Sequence, residues 1–423
     1  MFQSLSDINQ RDFSVAVSGW ITYYAPALHI EGCCLETPFV TSPVGILAIL
    51  AAVCSFFFAL EKKTGWKLFN FFPPLLFIYL TPLVFSNTGV MANESPVYGW
   101  MSDVILPMFL TVMLLDVNVR AAIKVMGKGV FVMLLGTLGV VVGAPIGYFA
   151  VKSFLGPESW KGFGTLAGSW IGGTGNMAAV SEGLGTSGKD FGLAVLADNF
   201  VYMVWLPIML GSKNLSRWFN RFTGVSDERV ERLKAEAKNL STDKGKAEMR
   251  HILYLLFFGL AIAFAAGAIA DILPAIPPVL TRGTWRILLV TTLALALSFT
   301  RARTVPGSHP LAMALVYLFV ANMGGKSSVT GLAEQAPWFV AGAFIWIFIH
   351  GGFCLLGAKI FKVDVHTAAI SSAANIGGAA SAPVVAAYHN EALVPVSILM
   401  ALIGYAIGNY AAFAAAWLCY AVS

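Results

Sequence analysis

Apolar runs of about 20 residues, separated by short polar stretches, dominate the chain from position 43 onward. The pattern predicts spans at Pro43 to Leu60, Leu68 to Phe85 (with Pro73-Pro74 inside), Met101 to Leu115, Val130 to Phe154 and Phe191 to Leu210. A second set follows at His251 to Leu273, Trp285 to Thr300, Pro310 to Met323, Pro337 to Ile360 and Val394 to Val422. Two further stretches, Phe163 to Val180 and Thr367 to Tyr388, are apolar but crowded with glycine and hydroxyl residues. Neither reads as a simple lipid-facing helix. Each occupies the same place in its half, after a long apolar helix and before another.

The expected architecture is therefore an all-α polytopic membrane protein. It has two repeats of five transmembrane helices, each with one re-entrant hairpin. Five is an odd number, so the second repeat is expected to lie inverted relative to the first. The chain divides into an N-terminal extramembranous or interfacial segment (1–42), a first repeat (43–211), a charged cytoplasmic linker (212–250) and a second repeat (251–423). A short surface helix is expected over Asp227 to Lys238. The start of the chain, with Asp7, Arg11 and Asp12, lacks the basic region of a cleaved signal peptide.

Charge fits this plan. The chain is 57% hydrophobic and 12% charged, with mean hydropathy +0.75, too little charge for a soluble surface of this length. With Lys62, Lys63 and Lys67 inside, alternation places 20 of the 27 basic residues inside, ten of them in the long linker, which carries less weight, and Arg11, Lys152, Lys161, Lys189, Arg282, Arg286 and Lys326 outside. The net charge of +5 is scattered through loops and does not form a nucleic-acid surface. Five cysteines show no metal-ligand spacing, and the adjacent Cys33 and Cys34 are poorly placed for a disulfide.

The two broken stretches carry the functional expectation. Ile171-Gly172-Gly173 matches Ile376-Gly377-Gly378 at a constant offset, which also sets Asn176 against Ser381. Unpaired backbone is tolerated at membrane depth only inside protein or beside water. Paired interruptions in inverted halves mark a transporter site. Freed N–H groups at half-helix starts favour anions, and freed carbonyls favour cations. The expected solute ligands are Gly172, Gly173, Thr174, Asn176, Asn375, Gly377, Gly378 and Ser381. Asp198, Asn199, Asn409 and Ser372 are expected to serve a coupling ion, because a mid-membrane carboxylate is costly and usually functional. Ser169 extends the polar set. Asp116, His350, Asn322 and Lys326 to Ser328 are weaker candidates.

Other chemistries find no support in the residues. Gly325-Lys326-Ser327 resembles the end of a P-loop, but Val320 stands where its first glycine belongs. No HExxH or nucleophile-elbow triad is legible, so an enzyme is not expected.

Three runs carry a resemblance. They are Gly168-Ser169-Trp170-Ile171-Gly172-Gly173-Thr174-Gly175-Asn176, Ser372 through Pro383, and Ser42-Pro43-Val44-Gly45 with Leu60 through Trp66. Through them the chain resembles the YjcL-like membrane family, a domain of unknown function, over nearly everything after residue 42. More distantly, its hairpins are similar to those of sodium–glutamate symporters and bacterial hydroxycarboxylate transporters. That resemblance implies inverted five-helix repeats, a homodimer, elevator-type motion and often sodium coupling. Ala380 stands where the first hairpin has Gly175, a departure in the second motif. The expected function is secondary transport of a small organic anion or amino-acid-like solute with Na+ or H+. A channel and a non-transporting sensor are the rival readings.

Overall fold

The computed structural model describes residues 38–66, 69, 73–117, 127–225 and 245–423. Cys33, Cys34 and the surface helix expected at Asp227 to Lys238 lie outside them. Among the described residues the protein is helical, with only two isolated β-bridges, Val40 to Met91 and Ile276 to Leu280.

The first half holds α1 (Pro43–Thr64), α2 (Pro74–Asn87), α3 (Pro96–Leu115), α4 (Gly129–Val151), α5 (Trp160–Leu184) and α6 (Gly188–Gly211). A short amphipathic helix, α7 (Ser216–Thr223), follows. The second half holds α8 (Met249–Ala270), α9 (Arg282–Ser298), α10 (Ser308–Gly325), α11 (Leu332–Phe361), α12 (Val365–Ile376), α13 (Gly378–His389) and α14 (Val394–Ala421). Seven helices among the described residues are long and apolar enough to cross a bilayer: α1, α3, α4, α6, α8, α11 and α14. This is a multi-pass integral membrane protein.

Local chemistry sets the boundaries. Ser42 caps α1 by accepting from Gly45 N, Pro43 opens it, and Gly65 at φ 57° closes it. In α2 the Pro-Pro pair marks the start of the helix and not its interior, because proline lacks the N–H that an interior turn needs. Ser95 and Pro96 start α3 five residues ahead of the expected Met101, and a π-helical turn at Met101–Ile105 follows. Arg286 of α9 donates to Asp103 and to the Ser102 carbonyl within that turn. Outside the spans, the Arg282 guanidinium holds the exposed Asp271 carboxyl below its usual range.

The helices sort into two blocks. In one, α2 packs on α10 and α9 on α3, while α1 and α8 lie at the edge, each largely uncovered by protein. The other is built on α4 against α11, with α5, α6, α12, α13 and α14 around them. Glycines on α4 permit that close packing. A Cβ at Gly139 would meet Phe353, one at Gly143 would meet Trp346, and one at Gly147 would meet the Gly342 carbonyl. Trp346 Nε1 donates to the Val140 carbonyl across the same seam at 2.7 Å. This second block contains both broken stretches.

Candidate functional site

The first broken stretch turns back on itself. Gly173 adopts φ 69°, ψ −173° in the middle of α5, a conformation that ends one half-helix and begins another. The two arms then run side by side. Thr165 Oγ1 lies 2.9 Å from Thr186 Oγ1, and a Cβ on Gly168 would meet the Asn176 carbonyl oxygen at 2.9 Å. A straight helix of this length would hold Thr165 and Thr186 about 30 Å apart. Nearly every residue of the hairpin is buried, which satisfies the demand that broken backbone be shielded.

The second stretch repeats the geometry. Gly378 adopts φ 57° between α12 and α13, and His366 Nδ1 sits 2.8 Å from His389 Nδ1 at the open end. The two turns meet. A Cβ at Gly378 would lie 3.5 Å from Gly173 Cα, and one at Gly173 would lie 3.9 Å from Gly378 Cα. Tyr405 of α14 seals the junction, with its ring carbon 3.3 and 3.6 Å from those two positions. Its hydroxyl accepts from Ala379 N at 3.4 Å. Gly404 and Gly408 let α14 approach: a Cβ at Gly404 would strike the Ile171 carbonyl at 2.3 Å, and one at Gly408 would strike Asn176 Nδ2 at 2.1 Å.

The expected ligands fall into separate groups. Gly172, Gly173, Gly377 and Gly378 come together at the tips, with Thr174 half-buried beside them. Asn176 is fully buried there; its Nδ2 donates to the Tyr405 carbonyl at 3.1 Å, and its Oδ1 has no partner. Ser381 lies one turn past the second tip, against Gly377. Asn375 points elsewhere, donating to the Met133 carbonyl and accepting from Thr137 on α4. Asp198 accepts from Ser169 Oγ and Trp170 Nε1, both at 2.9 Å, and so fastens α6 to the first arm of α5. Asn199 turns back on Val195 of its own helix. Asn409 donates to Thr291 of α9, leaving Oδ1 unpartnered. Ser372 accepts from Trp205 Nε1 and pairs with His350 Nε2, each at 3.0 Å. The four expected ion ligands therefore share no common partner.

Of the weaker candidates, Asp116 accepts from Ser308, Lys326 pairs with Glu182 at 2.9 Å, and Asn322 is buried with both amide atoms unpartnered. His350 is fully satisfied by Gly136, Ser372 and Cys354. Sequence reasoning missed Tyr405, and also Tyr202, whose ring lies 3.3 Å from a Cβ at Gly377. Among the described residues no cluster of His, Cys, Asp and Glu suits a metal ion.

Fold and tip geometry together meet a family match. The family described as "Protein of unknown function (DUF819)" covers residues 48–420. The chain belongs to this DUF819 family. A similar protein is the "Uncharacterized membrane protein YjcL" of Bacillus subtilis (strain 168), 28% identical over 380 residues, a match covering 86% of this chain and 93% of YjcL. In this DUF819 protein, the matched region takes in both hairpins, their tips and α14 up to Tyr420.

Proposed function

We propose that this DUF819 protein is a cation-coupled secondary transporter for a small organic anion or zwitterion. In this reading the two hairpins enter the membrane from opposite faces, and the two halves are inverted repeats. The observation that carries it is the meeting of two positive-φ glycine turns in the protein interior, beside a buried Asn176 oxygen with no partner. Each turn brings together the carbonyl end of one half-helix and the N–H end of the next. The N–H end that begins at Thr174 suits a carboxylate, whereas at the second tip Ala379 N already donates to Tyr405. The unpartnered oxygens of Asn176 and Asn409 suit a hard cation such as Na+. Asp198 belongs to the same reading as the coupling carboxylate, because it joins α6 to the arm that carries the first tip. The block holding both hairpins would travel against the other as an elevator, in a homodimer.

Uptake by proteoliposomes tests this. A panel of labelled carboxylates and amino acids, driven by a sodium or a pH gradient, should yield at least one accumulated solute that also shows counterflow. Asn176→Ala and Asp198→Asn should each lower that uptake at least about tenfold, a change of about 1.4 kcal/mol, with folding retained. Full uptake in both variants rejects the site. Single-channel currents would favour a pore, and saturable binding without counterflow would favour a sensor.

A further inference from the structure

A cavity of about 350 Å³ opens on the side of the second hairpin, between α6, α7, α11 and α12. Its walls are apolar. Ile208, Phe348 and Leu355 at its edge are 45%, 59% and 49% exposed, so the cavity continues into the outer apolar surface. Gly352 in its wall leaves open space: a Cβ there meets nothing within 4 Å. Ser372 reaches the wall, but its oxygen is engaged by Trp205 and His350. No polar solute would find a partner in it, whereas a hydrocarbon chain would displace little bound water.

The neighbouring surface is basic. Phe219 of α7 plugs one end of the cavity while Trp218 stays 64% exposed, an arrangement suited to a bilayer interface. Lys213, Arg217 and Arg221 lie between Ser212 and Val225, a stretch without Asp or Glu. Lys359, at the end of α11, donates to the Phe222 carbonyl and so stands at the same edge. Asp364 is turned inward, with both carboxylate oxygens on Thr367. Anionic lipids concentrate at basic surfaces near the membrane interface.

We infer that this cavity is a binding site for an anionic phospholipid, with one acyl chain inside it and the phosphate on Arg217 and Arg221. A chain seated there braces α12, the first arm of the second hairpin, against α6 and α11. The inference rests on membrane embedding and charge, and does not depend on transport. Titration of the full-length protein in detergent with phosphatidylglycerol and with phosphatidylcholine, followed by native mass spectrometry, tests it. The expected result is at least about tenfold tighter binding of phosphatidylglycerol. Gly352→Phe, which fills the cavity, and the surface double variant Arg217→Gln/Arg221→Gln should each remove that preference. Equal binding of the two lipids overturns the site. So does unchanged phosphatidylglycerol binding in the arginine variant, or in a Gly352→Phe protein whose lipid-free melting temperature matches the parent.

Discussion

At the scale of single residues, the tips are held by backbone geometry that only glycine adopts cheaply. Gly173 and Gly378 have φ of 69° and 57°, and a side chain in that region costs about 1–2 kcal/mol. Gly173→Ala and Gly378→Ala should therefore lower the melting temperature in detergent, whereas Gly352→Ala, on a regular helix facing open space, should leave it unchanged or raise it. If the strain is in the backbone, adding Tyr405→Ala to Gly173→Ala will not restore stability. A Gly173→Ala protein as stable as Gly352→Ala would show that the turn is not as described. The glycines were legible because the run Ile-Gly-Gly recurs within otherwise helical stretches. Tyr405 was not, since nothing along α14 marks which of its turns meets a hairpin more than 220 residues away at Gly173. The direction of Asn375 was equally hidden: the amide is claimed by Met133 and Thr137 of α4, a partner that only packing reveals.

At the scale of elements, the hydrophobic pattern located the two broken stretches, and the sequence predicts a hairpin at each. Their composition ruled out an ordinary lipid-facing helix, and the contact of Thr165 with Thr186 supplies the reversal. Boundaries were less legible where proline and capping chemistry overrode the apolar run. The first turn of α3 is hidden by Tyr98, Gly99 and Trp100, and α7, at eight residues, is too short to give a period. The hairpin geometry makes a topological prediction. Glu158 and Ser187 are both exposed at the open end of the first hairpin, while Asn214 and Glu391 are exposed near the open end of the second. Single cysteines at these positions, treated with an impermeant thiol reagent in sealed vesicles, should divide into two pairs. Glu158→Cys and Ser187→Cys should react from one face, and Asn214→Cys and Glu391→Cys from the other. Labelling of the first pair from opposite faces would make α5 a plain crossing and remove the basis for a tip site.

At the scale of the whole molecule, the two halves follow the same order of elements but do not make the same contacts. The first hairpin is docked on the neighbouring block: the Gly183 carbonyl accepts from Thr281, which caps α9, and from Thr284 of α9, at 3.1 and 3.0 Å, Gly175 packs on Met113 of α3, and Glu182 pairs with Lys326 at the end of α10. The second hairpin is held chiefly by α4, α5, α6 and α14, all members of its own block. In the proposed transporter, two halves with the same order of elements and unequal contacts would correspond to one end state of a rocking or sliding pair, the missing set of contacts belonging to the other state. If the blocks move, the Glu182–Lys326 contact must break in every cycle. A Glu182→Cys/Lys326→Cys protein, made without its native cysteines, should transport until a short bifunctional thiol reagent bridges the pair. Bridging should then reduce uptake at least about tenfold while leaving solute binding intact, and cleaving the bridge should restore it. Undiminished uptake in the bridged protein would mean that the first hairpin stays fixed to α10 throughout, and the moving part would have to be the second hairpin alone.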